Sequence, residues 1–480
     1  MRKHLSLMWV FLLVLAVVLP QLNADTASQE QRIQQLETLV KDQQTRIDGL
    51  QQRLNTSTED KVAGKFAKKA AADDPKIVAG YDGGFFVRDA EENFKLNITG
   101  YMQVGVGIFE NNTTANNSFY ANGLYLTFDV YIYKHWHGRL QVDFAPNHQQ
   151  FFGSTSWGNP IVRDGYVEYT GIPMFKVRAG NTHVPFSITG QYGENEGITI
   201  WGDPYLSWTH GRDPGLLIYG TLANMIDYSV GIFNGDFSVN NNANDDFLMA
   251  GSLRFYPMKT KDGKMDKGFF IHVGGLRSRD GERQSNGAAG VIGGAATFSP
   301  WGRYIYGGNT PNDAAGTKGW KTGVDGGFVF KKDMGPDGKN NLRVEFEAIY
   351  FKFDRERGTW NGNQRLPALE AYSFYFGTSY FMAMGKTKGM GIFPLFTFSY
   401  AWVGNKGSNS NLVNGKTDTQ QAYTYTFGLG MAFNEHVSIA FNWIVMKLDE
   451  RTTYGGPKST AGDVSGGEEH AWFVQATFQF

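Results

Sequence analysis

Cysteine is absent from the 480 residues, which excludes disulfides and thiolate metal sites and suits a chain that must stay unfolded while it crosses the periplasm. No long apolar run follows the first twenty residues, so a helical membrane protein is excluded. An excess of charge of one sign is missing as well: Lys and Arg number 45 against 46 Asp and Glu. Nothing in that balance calls for nucleic acid or an anionic surface as partner. Neither G-x-S-x-G nor H-E-x-x-H occurs and the nine His residues are scattered, so no enzyme, metal site or cofactor is expected.

What is present is glycine, 60 residues, and 15% aromatics, at a mean hydropathy of −0.35. One large all-β body accounts for this composition. A membrane barrel averages to near-neutral hydropathy because lipid-facing and lumen-facing residues alternate along each strand. Alternation is therefore the signal to look for.

Residues 1–24 read as a secretory signal peptide, with Arg2 and Lys3, an apolar stretch from Leu5 to Leu19, Pro20 and a polar tail ending at Ala24. Within 29–55, Ile33, Leu36, Val40, Gln43, Ile47, Leu50 and Leu54 step alternately by three and four. This is the seam of an N-terminal α-helical coiled coil, with Gln43 as a register-fixing polar layer. Its β-branched a positions favour a dimer by simple rule and the polar d layer weakens that rule; a homo-trimer is expected on the barrel's account. Residues 56–77, with Lys61, Lys65, Lys68 and Lys69, form a periplasmic linker, either merely solvated or touching peptidoglycan or lipid head groups.

From Phe94 the period is two. Phe94, Leu96, Ile98, Met102, Val104, Val106 and Ile108 share one face, and Lys95, Asn97, Thr99, Tyr101 and Gln103 the other. The same rhythm puts Leu124, Leu126, Phe128, Val130 and Ile132 outward and Tyr125, Thr127, Asp129 and Tyr131 inward; at the chain end it runs through Trp472, Val474, Ala476, Phe478 and Phe480. About sixteen such segments fit between Phe94 and Phe480, longer than the strands of a soluble sandwich. Their connections alternate long and short without slipping, as near 110–122 and 134–136, or 180–214 and 223–226. An even count places short turns in the periplasm and long loops outside the cell. Residues 78–480 are thus expected to form a transmembrane antiparallel β-barrel of about sixteen strands, wide enough for an aqueous lumen, in the outer membrane of a Gram-negative-type bacterium and surrounded by its lipid.

The run Val177-Arg178-Ala179-Gly180-Asn181, then Val184-Pro185-Phe186-Ser187 and Gly211-Arg212-Asp213, resembles the phosphate-selective porin O and P family. The opening Phe94-Lys95-Leu96-Asn97-Ile98-Thr99-Gly100-Tyr101-Met102-Gln103 is similar to that family's first strand, and Arg163-Asp164 with Tyr166 and Tyr169 to its fourth. The resemblance implies a sixteen-stranded trimeric channel, and in the family's best-known members a basic path for phosphate or polyphosphate. The terminal Phe480 also resembles the end signal that outer-membrane barrels present to the barrel-assembly machinery.

In large porins a loop at the place of 183–214 folds into the lumen; here it carries His183, Glu194, Glu196, Trp201, Asp203, Trp208, Arg212 and Asp213. Inward strand positions mix signs: Arg139 with Asp143, Asp164 with Glu168, Lys176 and Arg178, Arg254, and Arg343 with Glu345 and Glu347. A phosphate path needs a ladder of Arg and Lys. The mixture instead predicts a passive channel for small hydrophilic solutes and ions with weak charge selectivity. The alternatives are a porin preferring phosphate or polyphosphate and one preferring oligosaccharides, the latter with Trp201, Tyr205 and Trp208 as a stacking track. Singly, each such charge also fits a plain cross-strand pair on a wet wall. N-terminal sequencing of the exported protein is expected to begin at Asp25; a start at Met1 would instead mark residues 5–19 as a retained anchor.

Overall fold

The computed structural model describes residues 77–480 except 111–116, 146–160, 192–197, 199–210, 236–245, 261–264, 281–318, 335–338, 355–368, 386, 406–418 and 449–466. The expected signal peptide, coiled-coil seam and linker lie outside the described residues.

Sixteen long strands follow two short ones. The short pair is β1 (Ile77–Tyr81) and β2 (Phe85–Asp89). Then come β3 (Phe94–Phe109), β4 (Ser118–Ile132), β5 (Trp136–Asp143), β6 (Ile161–Tyr169), β7 (Lys176–His183), β8 (Arg212–Leu222), β9 (Ile226–Phe233) and β10 (Leu248–Phe255). The second half comprises β11 (Phe269–Asp280), β12 (Gly319–Met334), β13 (Asn340–Phe353), β14 (Leu369–Ala383), β15 (Gly391–Asn405), β16 (Thr419–Ala432), β17 (Val437–Leu448) and β18 (Gly467–Gln479). From β3 onward each strand pairs antiparallel with the next. β18 then returns to β3, from Ala471↔Phe109 to Gln479↔Tyr101, and closes the barrel. Because the chain enters β3 and leaves β18 at the same rim, successive connections alternate between rims; those at that rim are short except 256–268 between β10 and β11, which is longer than 110–117 on the opposite rim, so the expected parity of lengths slips there.

The alternation has the sense that lipid demands. On β3, Gln103 is 8% exposed and Val104 41%; outward Leu140, Val230, Val273 and Phe427 are likewise exposed, while inward Thr127, Gln141, Thr397, Thr424 and Asn442 are buried. A soluble sandwich would show the reverse. Rings on the outer wall contact one another across strands, as in Tyr372–Trp402 at 4.6 Å, Tyr400–Tyr423 at 4.9 Å and Phe398–Tyr425 at 5.0 Å. The tight turns after β4 and β8 have left-handed residues, Tyr133 and Lys134, then Ala223 and Asn224. Each connection has three residues, 133–135 and 223–225, between the paired Ile132 and Trp136 and the paired Leu222 and Ile226, and no glycine announces the positive φ values.

The inner wall is not polar throughout. Towards the long-loop rim, Phe109, Tyr120, Phe233, Leu248, Leu276, Ile349, Phe351, Ile444, Met446 and Phe473 point inward and belong to one buried cluster, which also takes in Val184 and Phe186. The sequence reading had a uniformly wet interior; the structure puts an apolar collar in its outer half.

At the seam, β3 extends below the end of β18, and β2 pairs with that overhang from Phe85↔Ile98 to Arg88↔Lys95. The backbone N–H groups of Gly100 and Phe480 donate to each other's carbonyls at 2.9 Å and 3.0 Å. A Cβ on Gly100 would lie only 2.2 Å from the Phe480 ring, so glycine is what lets the terminal ring lie across the strand. Replacing Met102, which faces outward, by Arg is expected to cost about 2–4 kcal/mol. Thr99→Arg, towards the interior, is expected to cost less than about 1 kcal/mol because lumen-facing positions stay in contact with water. Denaturant titration in lipid vesicles measures the difference, and equal costs would contradict the assigned faces.

Candidate permeation pathway

Antiparallel register sets opposite charges against each other on the inner face of β4 to β8. Asp129 lies opposite Arg139, His137 opposite Glu168, and Glu168 opposite Arg178. His137 bridges two carboxylates, with Nε2 2.8 Å from Asp129 and Nδ1 2.7 Å from Glu168, an arrangement that uses both ring nitrogens as donors. Arg178 Nε donates to Glu168 at 2.7 Å, and the Tyr219 hydroxyl donates to the same carboxylate at 2.6 Å. Arg212 Nε donates to Asp164 at 2.6 Å. A register shift between Gln141 and Val142 against β6 brings Arg163 inward next to Asp164, since a bulge re-aims one side chain. Arg163 then reaches the Tyr125 hydroxyl and stands 3.6 Å from Asp143.

Within each of these ion pairs the arginine side chain is more exposed than its carboxylate, although Asp129 is as exposed as Arg212. Side-chain exposure is 33% for Arg139, 20% for Arg178, 19% for Arg163 and 13% for Arg212. It is only 14% for Asp129, 8% for Asp164, 6% for Glu168 and 2% for Asp143. A count of charges is near balance, yet water meets mostly the cations. Tyrosine rings support them, Arg178 over Tyr166 at 4.1 Å and Arg163 over Tyr125 at 4.7 Å. Arg139 differs from its neighbours. Its Nε has no hydrogen-bond partner among the described residues and stands 3.6 Å and 3.8 Å from Asp164 and Asp129.

Beyond β7 the chain turns into the barrel. Phe186 is fully buried in the inner wall, and its carbonyl oxygen lies 2.8 Å from His272 Nε2. The Ile188 N–H donates to Glu347 at 2.6 Å and the Thr189 N–H at 3.3 Å, with the Thr189 hydroxyl on the same carboxylate. Asp325 lies 3.0 Å from His272. Arg254 donates to Gln191 at 3.1 Å. On β11, a Cβ at Gly274 would sit 2.3 Å from the Phe186 carbonyl oxygen; only glycine lets the segment come this close. An inward fold of this segment was expected, but its grip by β11 to β13 was not.

The candidate residues therefore separate into groups. Arg139, Asp164, Glu168 and Arg178 come together on one wall, with Lys176 nearby, its ammonium 5.5 Å from the Tyr219 ring centre. Asp143 is on that wall but almost wholly covered. Glu347 holds the inward segment instead of facing solutes, and Arg343 and Glu345 pair with each other at 2.7 Å, Glu345 also accepting from the Tyr375 hydroxyl. His183, Arg212 and Asp213 stand on strands, at the end of β7 and the start of β8, so assigning them to the loop is corrected; the strands run further than the motif boundaries suggest. Glu194, Glu196, Trp201, Asp203 and Trp208 lie outside the described residues. Sequence reading missed His137 and Arg163 as members of the cluster. His137 shares the parity of Arg139 and was open to discovery, whereas the bulge that turns Arg163 inward breaks parity and leaves no trace in the pattern.

A cavity of about 800 Å³ lies in the half of the barrel nearer the short turns, with Tyr101, Tyr125, Arg139, Asp164, Arg178 and Arg212 among its walls. It reaches Lys388 and Glu435 at the rim, which pair at 2.7 Å. The hydrogen bond between them raises the lysine pKa and holds the Glu435 carboxyl below the usual carboxylate range.

Residues 96–286 match the sequence model of the phosphate-selective porin O and P family. No curated protein sequence matches this chain. Among solved structures, the anion-selective porin of Comamonas acidovorans superposes with a TM-score of 0.50 at 10% identity, over 81% of this chain and 100% of that one. The outer-membrane channel DcaP of Acinetobacter baumannii does so with 0.50 at 13% identity, over 84% and 100%. Identities this low establish a shared fold alone.

Glu347→Ala is expected to release the inward segment at a cost of about 1–3 kcal/mol, since its hydrogen bonds are lost and buried donors are left bare. Protease cleavage after Gln191 in the folded protein reads this out, and resistance equal to that of the parent would show that Glu347 does not hold the segment.

Proposed function

We propose, from the premise that this chain is an outer-membrane β-barrel channel carrying the phosphate-selective porin O and P pattern over residues 96–286, that it is a passive pathway for small hydrophilic solutes and ions whose weak charge selectivity leans towards anions. The observation that carries this reading is the exposure of charge on β4 to β8, where each arginine is more open to water than the carboxylate it pairs with. Ion pairing to the wall keeps the selectivity weak, because Arg178 and Arg212 each spend donors on a carboxylate. Arg139, the most exposed of the four, stands between Asp129 and Asp164 at longer range, 3.8 Å and 3.6 Å, and is the arginine best placed to act on a passing ion.

A unit charge acting from roughly 7 Å through water shifts an anion and a cation by about 0.6 kcal/mol each in opposite senses, and salt screening roughly halves both, leaving a difference close to RT. Arg139→Gln is therefore expected to lower the anion-to-cation permeability ratio about two- to three-fold, read from the reversal potential in a planar bilayer under a KCl gradient. An unchanged ratio would remove Arg139 from the pathway, and absence of discrete current would sink the channel reading.

The second reading, a porin preferring phosphate or polyphosphate, draws support from the family pattern and the same arginines; phosphate block of chloride current would establish it. An oligosaccharide preference rests on Trp201, Tyr205 and Trp208, which lie outside the described residues. Homo-trimeric assembly, implied by the family resemblance, belongs to the proposal, and closure of single insertions in three steps is its signature. So do cleavage of residues 1–24, a periplasmic place for 29–77 with contact to peptidoglycan, and capture of Phe480 by the barrel-assembly machinery.

A further inference from the structure

The hairpin of β1 and β2 continues the barrel wall. β2 pairs with the same edge of β3 that β18 occupies higher up, and in the same antiparallel sense. β1 pairs with β2 as β17 pairs with β18, and Tyr81 approaches His436 at the foot of β17, ring centres 6.0 Å apart. The hairpin thus stands in line beneath β17 and β18 and fills the step at the seam.

Pairing fixes its faces. Directly opposed residues of antiparallel strands share a side, so Phe85 and Val87 lie on the side of Ile98 and Leu96, and Tyr81 and Ala79 on the side of Phe85 and Val87. That side is the outer wall. Phe85 is 56% and Val87 38% exposed, the same range as Val104 in the middle of the wall. The other side carries Phe86 and Arg88 opposite Asn97 and Lys95, with Arg88 paired to Glu92 and stacked over Phe86 at 5.2 Å. Of the two polar residues of β2, Arg88 is thus kept off the outer side and Asp89, at the strand end, is on it.

We propose that the outer face of this hairpin, Ala79, Tyr81, Phe85 and Val87, is a membrane-docking surface occupied by lipid at the periplasmic leaflet. It is continuous with the lipid-facing wall through Leu96 and Ile98, and interfacial aromatics at this depth suit the boundary between acyl chains and head groups. The hairpin then joins the chain to the bilayer before the barrel proper begins. The inference rests on the outer-membrane reading of the barrel.

The absence of cysteine makes the test direct. Phe85→Cys, Phe86→Cys and Val87→Cys in the full exported chain, with Leu96→Cys as the wall reference, are spin-labelled in vesicles of phosphatidylethanolamine and phosphatidylglycerol. Collision with oxygen is compared with collision with a water-soluble nickel chelate. Oxygen is expected to dominate at 85, 87 and 96 and the chelate at 86, a reversal between neighbouring residues. Chelate access at 85 and 87 with oxygen still dominant at 96 would place the hairpin in water and overturn the proposal. Low access to both reagents at 85 and 87 would mean that protein, such as a second copy of this chain, covers the face, and would overturn it too. Chelate access at 96 would instead overturn the reading of the barrel itself.

Discussion

Closure of β18 on β3 is the constraint on which the rest depends. In hydrocarbon no water satisfies an unpaired N–H or C=O, so a sheet can cross only if it has no edge. The length and even number of the strands follow from that demand, as does the placing of the start of β3 and the end of β18 at one rim. Fifteen loops and turns are then free to differ in length. The hairpin β1–β2 belongs to the same logic: β3 overhangs at the seam, and a two-stranded patch pairs the backbone that would otherwise be bare.

Once the wall is closed, the interior has too much room for strands alone to shape it. Two devices use that room. Cross-strand pairing on β4 to β8 concentrates four arginines, four carboxylates and His137 on one wall. The segment after β7 covers part of the opposite wall, anchored through Phe186, Ile188 and Thr189 to His272 and Glu347. A carboxylate that accepts two backbone N–H groups and a hydroxyl is a fixture of the wall; its charge is spent on holding the chain in place. This is why a list of inward charges overstates how many of them a solute meets.

The proposed anion preference and structural support would therefore rest on the same residues. Glu168 orients Arg178 and His137 together, and Asp164 orients Arg212. The acids lie low because each is ringed by donors, and the bases stand proud because their heads sit at the ends of longer stems. On the proposed reading, a mixed-sign wall of this kind acts as a weakly positive one.

Strand existence, outward faces and the rim assignment were legible in the sequence because each depends only on period two and on loop length, both local properties. The inward course of the segment after Val184 was legible through motif resemblance. Strand limits at His183 and Arg212 were not, since hydrogen bonding between β7 and β8 extends them past the motif. Nor was the inward turn of Arg163, which a bulge creates by breaking the very parity used to read the faces. The apolar collar escaped because inward Leu, Ile and Phe look like noise in an alternating pattern until the packed segment that meets them is in place. By itself the sequence determined a closed, lipid-facing, sixteen-strand wall, because the pleat repeats every two residues whatever the neighbours. Which inward charges pair, which lie beneath others and which grip the inward segment was decided only by the tertiary structure, because those outcomes depend on register and distance between strands remote along the chain.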